Sequence, residues 1–351
     1  MTANPFLGVL FHAIGGLAAG TFYLPFKRVR GWSWESYWLV GGVFSWIVAP
    51  LAGALLLNPD FRAVFAGVPF RSIALTYFFG VLWGVGGLTF GLSMRYLGMS
   101  LGYAVTLGFC AVFGTLIPPL FHGELPGLLA ALPGWVILSG LAVCLAGIAV
   151  CGAAGLMREK SAAGAARAAG DADLNFTRGL WVAAFSGVMS SCMAFAFDAG
   201  KPILEAAQAA GTPPTFCNTP VLVVALLGGF TTNCAWCLFL NARNGSFKDY
   251  GSAPAGASLL LNYVFSALAG ATWYLQFFFY GMGTTKMGDS LEFSSWTLHM
   301  AFIIVFGNLW GIVLREWKGA GRNTHAVILA GIVILILSTV VVGWGNYLGA
   351  L

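Results

Sequence analysis

An ionisable group at the centre of a membrane-length apolar run costs about 2.5–3.5 kcal/mol on insertion scales. Such groups are therefore the first candidates for chemistry in this chain. His12 shares one helical face with Gly16, Ala19 and Tyr23, at i, i+4, i+7 and i+11. LEFSSWTLHM places Glu292, Ser295, Trp296 and His299 on another face, and ATWYLQFFFYGMG aligns Trp273, Gln276, Phe277 and Tyr280. Asp198, Lys201 and Glu205 follow at i, i+3 and i+7, with Pro202 beside Lys201. Imidazoles and carboxylates suit proton movement, because their surroundings can bring them to titrate near ambient pH. An amide between rings suits a polyhydroxylated ligand, whose hydroxyls bond to the amide while its C–H face lies on an aromatic. The candidate ligand contacts are thus Trp273, Gln276, Tyr280, Trp296 and Tyr23. The candidate proton carriers are His299, Asp198, Glu292 and His12. Each has a plainer alternative: a histidine bonded to a neighbouring helix, an ion ladder at a kinked helix end, or aromatic packing. The amide is hardest to dismiss, since in lipid it demands a partner.

The composition supports that environment. Of 351 residues, 59% are hydrophobic and only 8% charged, and the mean hydropathy is +0.84. A soluble domain carries about 25% charged residues. The net charge of +5 is confined to connections, so no continuous basic face exists for nucleic acid. Glycine occurs 48 times, which lets helix backbones approach where no hydrophobic force drives helices together. Seven cysteines lie in or at the ends of apolar runs, and Cys234-x-x-Cys237 has neither a second pair nor a nearby histidine. They read as small buried residues, with no disulfide framework and no metal site. No G-x-x-x-x-G-K-[ST], H-E-x-x-H or G-x-S-x-G sequence is present. This argues against an ATP-driven pump or an intramembrane enzyme, leaving an ion gradient as the energy source and no cofactor beyond protons.

Spans need about 20 largely apolar residues. Ten are expected, all helical: 6–26, 36–57, 73–94, 99–121, 132–156, 177–199, 215–240, 258–282, 291–314 and 325–349. The first is read as retained, since its cationic residues follow the apolar run instead of preceding it. FYLPFKRVRGWSWESYW (22–38) joins spans 1 and 2. Pro25 ends or bends the first helix, and Trp32, Trp34, Tyr37 and Trp38 supply rings at headgroup depth. The polar stretch 157–176 separates a first five-helix repeat (1–156) from a second (177–351). An odd number of spans per half makes the repeats inverted. GLSMRYLGMSL (91–101) and GMGTTKMGDSL (281–291) join the third and fourth spans of their halves and share residues in register. Of 17 Lys and Arg residues, all but Arg62, Arg71, Lys201 and Lys286 fall in odd-numbered connections. Both termini should therefore face the periplasm. Threaded so, His12, His299, Gln276 and Asp198 lie towards one membrane face.

FYLPFKRVRGWSWESYW, GLSMRYLGMSLG, WYLQFFFYGMG, SSWTLHMAF and LREWKGAGR (314–322) resemble the L-rhamnose–proton symporter family, of the drug/metabolite transporter superfamily. The resemblance runs from about residue 8 to the C-terminus. It implies a bacterial inner-membrane protein that takes up a deoxyhexose with protons. His12, Glu35, Lys201, Gln276 and His299 match the family's residue types. Gly87, Thr89 and Asp198 stand where the family has asparagines, and Glu292 where it has an aspartate. The expectation is an all-α integral membrane symporter for L-rhamnose or a related 6-deoxyhexose, with its site between two repeats that rock against each other. A metabolite or drug exporter of the same superfamily is the alternative. The expected partners are a small sugar, protons and the bilayer.

Overall fold

The computed structural model describes residues 4–97, 99–166, 176–287, 294–315 and 317–349. Among these the regular structure is entirely helical. The first half holds α1 (Pro5–Thr21), α2 (Tyr23–Phe26), α3 (Trp34–Val43), a π-helical turn (Phe44–Val48), α4 (Ala49–Leu57), α5 (Phe61–Ala66), α6 (Phe70–Leu97), α7 (Met99–Phe121), α8 (Leu125–Ala130) and α9 (Leu132–Ala166). The second holds α10 (Phe176–Ala199), α11 (Lys201–Ala209), α12 (Thr219–Asn244), α13 (Leu259–Met287), α14 (Ser294–Val313) and α15 (Arg322–Gly349).

Nine stretches among the described residues are long and apolar enough to cross a membrane. They answer to nine of the ten expected spans. The other expected span, 258–282, falls on α13, whose 29 residues are ample for the purpose. Asn262, Gln276 and its tryptophan and tyrosines dilute its apolar character, so its length alone speaks for a crossing. One boundary differs from expectation, and the bend expected from Pro25 is present. α9 runs on through the polar stretch to Ala166, carried by alanine, the best helix former. The first helix breaks at Phe22, upstream of Pro25, because a proline ring clashes with the carbonyl four residues before it, here that of Thr21.

The π-turn has a similar cause. Ala49 N–H bonds back to Phe44 O, five residues away, and Pro50 brings no N–H to restore the four-residue ladder. The widened turn sets Trp46 into the interior.

The chain forms two compact units: 1–17, 86–194 and 283–351 make the first, 18–85 and 195–282 the second. In the first, α9 lies along α15 on a seam of glycines. A Cβ at Gly140 would stand 2.5 Å from Val342, one at Gly147 2.8 Å from Leu335, and one at Gly345 2.6 Å from Ile137. Contact this close is how helices hold each other in lipid. In the second unit, α12 packs on α3, the π-turn and α4. Buried asparagines serve two ends there. Asn58, Asn233 and Asn241 each donate from Nδ2 to the carbonyl four residues back. Their Oδ1 atoms remain for tertiary partners: Thr212 donates to Asn58 and Trp38 to Asn233, while the Ser36 and Ser246 hydroxyls lie within 3.2 Å of Asn241 Oδ1.

Gly147→Val and Gly345→Val should each force the seam apart, at a cost of about 1–3 kcal/mol. The thermal midpoint of the detergent-solubilised protein should fall for both. Gly67→Val, where nothing lies within 4 Å of the new Cβ, should leave it unchanged.

Candidate functional site

In the first unit, α1 and α14 bring two histidines together. The His12 and His299 rings stand 6.4 Å apart, both fully buried. The approach depends on small residues. A Cβ on Gly16 would run into Phe302, and one on Gly283 would sit 2.7 Å from the His12 ring. His299 also lies 6.2 Å from the Trp296 ring. Trp296 donates its indole N–H to the Cys110 carbonyl at 3.0 Å, and its ring edge presses on Gly114. With its one polar atom bonded to backbone, Trp296 fixes the wall beside His299. Thr115 and Thr297 share a buried hydroxyl bond of 2.8 Å next to it.

In the second unit, α13 turns one face into an aromatic wall. Trp273 packs against Trp46 at 5.6 Å, Trp83 at 5.5 Å and Phe277 at 5.3 Å. Tyr280 lies 4.9 Å from Phe197, and Gln276, only 6% exposed, sits between Trp273 and Tyr280 on the same helix. The expected stripe of rings about an amide is therefore present and buried.

The remaining candidates are placed differently. Asp198, in the second unit, pairs with Lys201 at 3.0 Å, the local ion pair that the i, i+3 spacing allows. Tyr23 is 41% exposed beyond the break in the first helix, against Phe22 and Phe26. Glu292 lies outside the described residues. No group of His, Cys, Asp and Glu among the described residues could hold a metal ion, and the seven cysteines are free. A large opening, about 480 Å³ between α7 and α9, is lined only by apolar side chains and glycines such as Phe109, Leu145 and Gly152. It offers nothing to a polar ligand.

Comparison with known proteins places the chain in a family. The family profile described as L-rhamnose-proton symport protein (RhaT) matches residues 1–347. The L-rhamnose-proton symporter of Cronobacter sakazakii is 40% identical over 342 residues, 97% of either chain. Those of Citrobacter koseri and Yersinia pestis are 37% and 38% identical over 342 residues, again covering 97% of each chain.

One polar cluster lies outside the candidate ligand and proton groups, although the resemblance had marked Glu35 as a family residue type. Glu35, in the first turn of α3, is buried and accepts hydrogen bonds from Ser246 Oγ at 2.7 Å and Asn244 Nδ2 at 3.0 Å. Asp249 accepts from Ser33 N–H and Ser36 Oγ, both at 2.8 Å. Trp32 turns away from the headgroup position expected of it. It is buried, donates to Ser252 O at 3.2 Å, and meets Tyr263 edge-on at 4.9 Å. Only the long-range pairing of the 30–36 turn with 241–262 shows this, and no local spacing announces it. Asp249→Ala would strand the Ser33 and Ser36 donors at a cost of about 1–3 kcal/mol. Limited trypsinolysis should then cut faster after Arg28 or Arg30, with a lower thermal midpoint.

Proposed function

The chain belongs to the L-rhamnose–proton symport protein family, and on that footing we propose that it takes up L-rhamnose, or a close 6-deoxyhexose, together with protons. It is a membrane transporter and not an enzyme. The match over residues 1–347 carries the reading, and it disfavours the exporter alternative.

The finer architecture is part of the proposal: ten spans, in two inverted repeats. The division into compact units supports it. In the first half, 1–17 belongs to the first unit, 18–85 to the second and 86–156 to the first again. The second half repeats that order with 177–194, 195–282 and 283–351. A duplicated sequence would be partitioned in this way, and five spans per copy would invert one against the other. The distribution of cationic residues supports periplasmic termini in a bacterial inner membrane.

The sugar is assigned to Trp273, Gln276 and Tyr280. A 6-deoxyhexose combines hydroxyls with an apolar face and a methyl group, and a buried amide set in an aromatic wall meets both needs. The proton is assigned to the His12–His299 pair. Two charged imidazoles at 6.4 Å would repel strongly in a water-poor interior, so the pair suits one proton at a time. Trp296 positions His299, while Tyr23 at the first turn and the carboxylates Asp198 and Glu292 are subsidiary candidates. Symport then requires that proton and sugar each raise the affinity for the other.

Three variants test the assignments in inverted or right-side-out vesicles. Gln276→Leu should weaken L-rhamnose binding roughly 5- to 150-fold, the worth of about 1–3 kcal/mol, with expression intact. Unchanged affinity would return Gln276 to helix packing. His299→Gln should keep sugar counterflow but abolish gradient-driven accumulation. Normal accumulation by both His299→Gln and His12→Gln would remove the proton from the pair.

A further inference from the structure

A small void in the second unit lies among the rings of Phe26, Trp38, Trp46 and Trp273, with Ser45 and Trp46 as the polar members that matter here. It measures about 10 Å³, room for one water or one hydroxyl. Three features set it apart from a packing defect. Its polar members sit on the π-turn, a local widening of the helix that is common at functional positions. Its wall is thinned by glycines: a Cβ on Gly42 would lie 2.6 Å from the Trp46 ring, and one on Gly270 would run into the Gly41 carbonyl. Most tellingly, Trp46 is only 4% exposed, and its Nε1–H has no acceptor among the described residues. Four rings, those of Trp38, Trp83, Phe230 and Trp273, surround the indole.

A phenylalanine would pack among those rings without stranding a donor, and burying an unmet N–H away from water is costly. We infer that Trp46, with Ser45, forms a hydroxyl-binding subsite, in which the indole N–H donates to one hydroxyl of the transported sugar. This rests on the reading of the chain as a sugar symporter. Trp273 ties the two parts together, since it lines the void and also begins the α13 stripe that carries Gln276. A hydroxyl fits the void by size. The N–H needs an acceptor, and the surrounding rings accept C–H faces. Ser45 Oγ, whose present contact is a long 3.4 Å bond to Gly42 O, can add a second hydrogen bond.

The test is competition by L-rhamnose and each of its monodeoxy analogues against labelled L-rhamnose in counterflow. Trp46→Phe keeps the ring and removes the donor. It should weaken L-rhamnose on the order of 3- to 10-fold, yet leave unchanged the one analogue that lacks the bound hydroxyl. Should Trp46→Phe fail to reach the membrane, Ser45→Ala carries the same comparison and should spare the same analogue. Equal losses across all analogues would mark Trp46 as packing and overturn the inference, as would an unchanged affinity for L-rhamnose. A wild-type protein that moves no L-rhamnose would overturn the functional reading and the subsite with it. Wild-type transport beside an indifferent Trp46→Phe overturns the subsite alone.

Discussion

The constraint on which everything else depends is that lipid offers no hydrogen bonds. Each polar group on a spanning helix must find its partner within the protein. The asparagines show the local solution. Asn58, Asn233, Asn241, Asn308 and Asn346 all donate to the carbonyl one turn back, which satisfies half of the amide without help from another helix. Serines and threonines do likewise, as Thr76 does to Ser72 O and Ser338 to Leu335 O. The rest of each amide is directional and sits at a fixed height on its helix. Tertiary donors then settle register: Thr212 on Asn58 and Trp38 on Asn233. Specific packing in this chain therefore comes from polar residues and glycines, because its leucines and valines pack on lipid as readily as on one another.

The candidate groups differ in how they are held. Trp296 looks polar in the sequence, but its N–H is bonded to Cys110 O, and its remaining property is shape. Asp198 looks like a buried carboxylate and is instead paired with the cation one turn on. His12 and His299 are the reverse case. Their surroundings are shaped for them by glycines at positions 16 and 283, so that two rings of one kind share a dry interior. A protein that needed only packing there could use leucine and avoid desolvating two imidazoles.

Much of the fold was legible because membrane spans are read from length and hydropathy, and both are local. Nine spans and their approximate bounds come from that rule alone. α13 shows its limit: the Gln276 and tryptophan that make it a candidate binding helix also lower its apolar character. The sharing of a face by Trp273, Gln276 and Tyr280 was equally legible, since helical periodicity fixes it. Pairings between distant segments were not. Nothing near Glu35 in the sequence names Ser246 or Asn244, and Trp32 reads as an interface ring until Ser252 and Tyr263 are seen beside it.

The π-turn marks where local rules gave no warning yet the cause is local after all. Pro50 sits in a run that reads as an uninterrupted span, and its missing N–H moves the hydrogen-bond ladder by one residue. An α-helix turns about 100° per residue, so one extra residue in a turn rotates α3 by about that angle relative to α4. Trp46 and Ser45 then face a void instead of continuing the pattern of α3. In an unwidened helix the Pro50 ring would meet the Trp46 carbonyl four residues back, and the wider turn relieves that clash. The proline thus produces the local irregularity. In doing so it places an unmet indole N–H among four aromatic rings.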